Sequence, residues 1–264
     1  MFNVKDILKI VKLISVTILM LFLVLDSFGQ LKPIKYKDEN QTLNGFSSRP
    51  KKQSKQKAGI LILPAWMGID KHARETALKL SDMGYYSFIA DIYGEGNYPK
   101  NRSEASTQAT FYKNNTDAYN HRIKLALEQL IKSGADPSKI VVMGYCFGGT
   151  GALNAARENM NIKGVVSFHG GLGRDTTRKV QQINPKVLVC HGANDFYIPD
   201  ADIAAFQNEM KQAKADWQMI YYADAVHAFT DPAAGNDPTG GAAYNEKADK
   251  RSWMHMIQFL NEVF

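Results

Sequence analysis

An α/β fold, with a mostly parallel central sheet and helices on both faces, is what this 264-residue sequence predicts. Three observations carry that prediction. Short apolar runs alternate with longer stretches of helical periodicity, as βαβ units do. Two of the runs, "KIVVMG" and "KVLVCHG", are continuous and rich in β-branched residues, as strands buried on both faces are. With 45% hydrophobic residues the chain is able to bury one sizeable core.

The elements follow in order. In residues 1–29, Lys5, Lys9 and Lys12 flank an apolar run, 13–25, and Ser27-Phe28-Gly29-Gln30 follows. A basic region, an apolar region and small residues suited to cleavage after Gly29 make this a signal peptide. The run is shorter than the ~20 residues that cross a bilayer, so no stable membrane span is expected once the signal is cleaved. The mature protein is then periplasmic or secreted; the alternative is a membrane anchor retained through residues 1–29. Residues 30–57 are expected to form a basic leader with an antiparallel hairpin around 34–46, and residues 58–264 the main domain. Strands are expected at 59–64, 86–91, 140–144, 164–169, 186–191 and 218–222. Helical patterns fill 71–83, 103–133, 150–158, 201–213 and 244–263, and no internal repeat interrupts them.

The net charge of +6 is local: residues 30–57 hold eight Lys and Arg against Asp38 and Glu39, and the body from residue 58 onward is close to neutral. A neutral body with a basic leader does not read as a nucleic-acid binder, and the Lys run is expected to be a solvated loop. The two cysteines, Cys146 and Cys190, are expected on different strands and free, because a disulfide tolerates only short Cα separations.

Ligands of open α/β sheets gather at the carboxyl ends of the strands, so the residues that follow the apolar runs matter most. Gly144-Tyr145-Cys146-Phe147-Gly148 has the form of a nucleophile elbow with cysteine in the nucleophile position. Such a turn exposes the side chain, and the positive end of the following helix favours thiolate. His227, in the loop before the last helix, is a candidate base, and Asp195, directly after a strand, a candidate partner for it. Alone, the cysteine reads as a small buried hydrophobe, the histidine as a hydrogen-bonded loop residue and the aspartate as a turn cap. Together, in the order Cys146, Asp195, His227, they follow the nucleophile–acid–histidine order of α/β-hydrolases. An acyl-transfer site also needs oxyanion donors: the Phe147 N–H, and a second from the 64–68 loop, placed at the Trp66 N–H. His169 ends a strand beside the site and is a candidate pocket residue with structural duty as the alternative, while His72, His121 and His255 fall on helical faces as solvated or packing residues. His191 beside Cys190 is not completed by a ligand set at zinc-like spacing, so neither metal nor cofactor is expected.

The pieces "LPAWMGID…ARETALKLSDMGYYSFIADIYG", "VVMGYCFGGTGAL", "VLVCHGANDFYIP", "HAFTDP" and "AYNEKADKRSWMHMIQFL", spanning residues 58–263, resemble the dienelactone hydrolase family of cysteine-dependent α/β-hydrolases. That resemblance implies Cys146 as nucleophile, His227 as base, Asp195 as its orienting partner, and Phe147 and Trp66 as oxyanion donors. It also brings Ala65 and Asp231 forward as pocket candidates, and Tyr145, beside the cysteine, is a further one. Two departures stand out. The family carries a glutamate where this chain has Ala65. It also carries substrate-gripping arginines, one four residues after the histidine, where this chain has Asp231, and one in 95–115, where Arg102 is the only arginine. The chemistry implied is hydrolysis of a small ester, lactone or thioester through an acyl-cysteine, on a substrate other than an anionic dienelactone. A catalytically silent ligand-binding homologue, or an acyltransferase or peptidase on the same scaffold, is the alternative.

Overall fold

A computed structural model describes residues 30–51 and 56–264. The signal-peptide reading of residues 1–29 lies outside the described residues. The described chain folds around one eight-stranded sheet in the order β1-β2-β4-β3-β5-β6-β7-β8. Its strands are β1 (Lys32–Asp38), β2 (Gln41–Ser48), β3 (Gly59–Leu63), β4 (Tyr86–Ile89), β5 (Ile140–Tyr145), β6 (Gly164–Phe168), β7 (Lys186–Gly192) and β8 (Trp217–Tyr222). The β1–β2 and β2–β4 pairs are antiparallel and the remaining pairs parallel. Among the described residues six α-helices accompany them: α1 (Lys71–Asp82), α2 (Arg102–Asn114), α3 (Thr116–Lys132), α4 (Phe147–Arg157), α5 (Asp200–Gln212) and α6 (Glu246–Val263).

The period-2 alternation of strand side chains divides the core into two layers. Leu61 and Leu63 of β3, Val142 of β5 and Val189 of β7 pack with Tyr119, Ile123 and Leu130 of α3, Leu153 of α4 and Phe206 of α5. Ile60 and Ile62, Met143, Leu188 and Cys190 face the other way, onto Ala77 and Leu80 of α1 and Met256 and Leu260 of α6. Both faces are thereby sealed, which is why the central strands read as unbroken apolar runs.

Three expectations need correction. The single helical stretch expected at 103–133 is two helices broken at Asn115, whose backbone leaves the helical region (φ −117, ψ 71). The helix expected at 150–158 begins three residues earlier, at Phe147. The basic leader is not a solvated loop throughout: Lys32, Lys35 and Lys37 lie on β1 with their side chains exposed, and Lys51 pairs with Asp82 at 3.4 Å.

Candidate active site

β5 ends at Tyr145 and α4 begins at Phe147, so the whole reversal falls on Cys146. Its φ of 52 and ψ of −113 lie where residues with a side chain rarely sit. The turn closes this tightly only because its flanks lack side chains. A Cβ on Gly144 would collide with the Gly148 carbonyl, and one on Gly148 with the Leu63 carbonyl of β3. The Cys146 N–H is shared between the Phe168 carbonyl at 3.0 Å and His169 Nδ1 at 3.2 Å. Its thiol, half-buried, stands at the amino end of α4.

Three side chains from separate segments meet there. His227 Nε2 lies 3.0 Å from Cys146 Sγ, and His227 Nδ1 lies 2.8 Å from Asp195 Oδ2. Asp195 is buried three residues beyond β7, and its other oxygen accepts the Tyr197 N–H at 3.1 Å. The His227 backbone is fixed on both sides, its N–H donating to the Gly241 carbonyl and its carbonyl accepting from Ala243. Burial works against an imidazolium at this position. Hydrogen bonds to Asp195 and to the Cys146 sulfur, with the negative charges of both, outweigh it, and His227 is pushed up to about 10.

The remaining site expectations sort by position. The Phe147 N–H is in the first turn of α4, where helix geometry leaves amides without an intrahelical acceptor. Its ring stacks on Tyr119 at 4.6 Å, and its carbonyl accepts from the Tyr119 hydroxyl at 3.0 Å. Trp66 is half-buried in a β-turn closed by the Gly68 N–H on the Ala65 carbonyl, and its own carbonyl accepts from Tyr93 at 2.8 Å. Ala65 packs partly buried against the layer that holds α1 and α6. Tyr145 is not a pocket residue: the alternation of β5 turns it to that same layer, where its ring stacks on Phe168 and its hydroxyl meets Thr76 Oγ1 at 3.2 Å. Asp231 caps a 3-10 turn through the Ala233 N–H at 2.9 Å, so its carboxylate is engaged locally. His169 is buried behind Cys146, against His227 and Phe229, and does not line an open pocket. Arg102 is exposed at the start of α2. His72 packs its tilted ring against Tyr145, His121 pairs with Asp38 and His255 bonds the Tyr222 hydroxyl.

Three neighbours escaped the sequence reading. Tyr197 sets its ring edge-on to His227 with centroids 5.4 Å apart, Thr230 bonds His169, and Tyr93 bonds the Trp66 carbonyl. The first two lie within three residues of Asp195 or His227, and that proximity was the available signal.

The dienelactone hydrolase family model matches residues 43–264, from the second strand of the hairpin to the C-terminal helix. The chain belongs to the dienelactone hydrolase family. As a member it is a hydrolase, and its relatives fit that placement. A dienelactone hydrolase-like promiscuous phosphotriesterase from metagenomic libraries superposes with a TM-score of 0.84 at 32% identity, covering 89% of this chain and 98% of its own. A putative carboxymethylenebutenolidase of Salmonella typhimurium is 21% identical over 84% of this chain and 83% of its own length. A probable 2-oxo-3-(5-oxofuran-2-ylidene)propanoate lactonase of Bradyrhizobium is 23% identical over 76% of this chain and 82% of its own.

Proposed function

We propose that this dienelactone hydrolase family member cleaves small uncharged esters, lactones or thioesters through an acyl-cysteine intermediate. The observation that carries the reading is the continuous hydrogen-bonded chain Cys146–His227–Asp195. The reaction starts with the proton on His227, whose hold on it is raised, and the Cys146 sulfur as the nucleophile. Sγ attacks the substrate carbonyl carbon and the carbonyl electrons move to oxygen. That oxyanion accepts hydrogen bonds from the Phe147 and Trp66 N–H groups. As it collapses, the bond to the leaving oxygen or sulfur breaks, and His227 Nε2–H supplies the leaving group's proton. Neutral His227 then takes a proton from water, the hydroxide adds to the acyl carbon, the C–S bond breaks, and the acid leaves with the thiolate restored. Asp195 holds the imidazole in orientation and offsets its charge in both halves.

The uncharged substrate class is argued from Ala65, in place of a glutamate, and from Asp231, whose carboxylate caps a turn. Burst kinetics with p-nitrophenyl acetate test the covalent step: one equivalent of nitrophenol per active site precedes the steady state if an acyl-enzyme accumulates. A panel of neutral esters, lactones and thioesters with their carboxylated analogues tests the class, and a preference for the anionic analogues would overturn it. Phosphotriesters join the panel because of the promiscuous relative. We also propose that the chain is exported and cleaved after Gly29. N-terminal sequencing of natively produced protein would then begin at Gln30, and a retained Met1 would refute the cleavage.

A further inference from the structure

His169 is buried with 2% of its surface exposed, and the hydrolytic cycle above gives it no part. It stands one residue beyond β6 with φ at +40, in the left-handed region, beside a cysteine that is also at positive φ. Its own N–H is held by the Cys190 carbonyl at 2.9 Å. The hydrogen bonds of the ring fix its tautomer. A backbone N–H can only donate, so Nδ1, 3.2 Å from the Cys146 nitrogen, presents its lone pair. The ring proton is then on Nε2, which donates to Thr230 Oγ1 at 2.8 Å. Thr230 lies three residues after His227 on the same loop. One imidazole therefore touches the turn that bears the thiol and the loop that bears the imidazole partner, with its edge against His227 at 5.2 Å between centroids.

We propose that His169 is a positioning residue for the Cys146–His227 pair, a neutral strut tying the thiol-bearing turn to the His227 loop. A second proton would sit on Nδ1, facing the Cys146 N–H. Burial, and then the neighbouring His227, His72 and His191, also keep the ring uncharged. The strut joins the two segments that carry the 3.0 Å Cys146–His227 contact, so its removal lets them drift. The proposal rests on the acyl-cysteine reading for its kinetic effect but not for its geometric one.

The test uses His169→Leu, which removes both hydrogen bonds, and Thr230→Val, which removes one and leaves the ring. His169→Asn keeps an acceptor for the Cys146 N–H at a residue type tolerant of positive φ. For His169→Leu we expect kcat on p-nitrophenyl acetate to fall about thirtyfold with KM within about twofold, as misplacement of reacting groups does. Thr230→Val should lose about threefold, and His169→Asn should fall between them. The pH profile of iodoacetamide alkylation of Cys146 should move to higher pH in His169→Leu, because the sulfur loses the nearby His227 cation. Wild-type kcat and an unmoved alkylation profile in His169→Leu would overturn the proposal. If that variant does not fold, the same result in Thr230→Val overturns it. If the wild-type protein turns over no ester, the hydrolytic reading fails by itself, and the alkylation profiles still decide whether His169 holds the pair.

Discussion

Cys146 and Cys190 lie almost level across the sheet. Tyr145 pairs with Phe168 and Phe168 with Cys190, so Cys146 is one residue above that row and Cys190 in it. The strand β7 continues past Cys190, keeps it extended and turns its side chain into the layer with α1 and α6. There it is fully buried, the Tyr222 hydroxyl is 3.5 Å from its sulfur, and burial pushes the thiol up to about 12. The strand β5 stops one residue before Cys146, and the reversal turns the thiol out to the amino end of α4 and His227. The same residue type is inert or poised according to where its strand ends.

The strongest way to break this contrast is substitution. Cys146→Ala should lower ester turnover by about 10⁴-fold or more in steady-state assays. Cys190→Ala should keep kcat within about threefold while costing roughly 1 kcal/mol in denaturant unfolding. Comparable losses of turnover from both would erase the distinction. Asp195→Asn leaves both thiols in place and removes only the charge that orients His227, so a fall of about a thousandfold in kcat/KM is expected. Iodoacetamide sharpens the contrast without mutation: intact mass should show one adduct on folded protein at neutral pH and two after denaturation, because only thiolates with access react. Two adducts on folded protein would mean that β7 opens.

The smallest effect is on stability. His227 rises from an ordinary 6.5 to about 10 in the folded protein, so its contribution is complete below pH 6.5 and is lost as pH rises through 10. The melting temperature of wild type relative to His227→Gln should therefore be several degrees more favourable at about pH 7 than at about pH 10.5. An unchanged difference would mean that the imidazole gains no proton affinity on folding.

Much of this was legible before any coordinates. The parallel strands announced themselves because burial on both faces leaves no polar positions, and the three residues of the proposed triad each follow one of them. What stayed hidden depends on direction. Tyr145 neighbours Cys146 in sequence, yet strand alternation sends it to the opposite layer, and spacing alone could not choose the face. The break at Asn115 lacks glycine or proline; the run Asn114-Asn115-Thr116-Asp117 is a helix-start pattern that the longer periodicity overrode. The His169–Thr230 contact joins residues 61 apart through a tautomer and a positive φ, none of which leaves a sequence trace.

The two outer strands differ in how they would meet another molecule of the same protein. An open sheet edge presents unpaired backbone donors and acceptors and can recruit a neighbour's strand into an aggregate. On β1, exposed Lys32, Lys35 and Lys37 and the donor-less Pro33 discourage such recruitment by repulsion and by a missing N–H. The positive surplus of the leader thus guards an edge. On β8 the run Trp217-Gln218-Met219-Ile220-Tyr221-Tyr222 has neither charge nor proline and is only partly covered. Among the described residues β8 is thus the outer strand without such guards, and Gln218→Lys would add one at an exposed position.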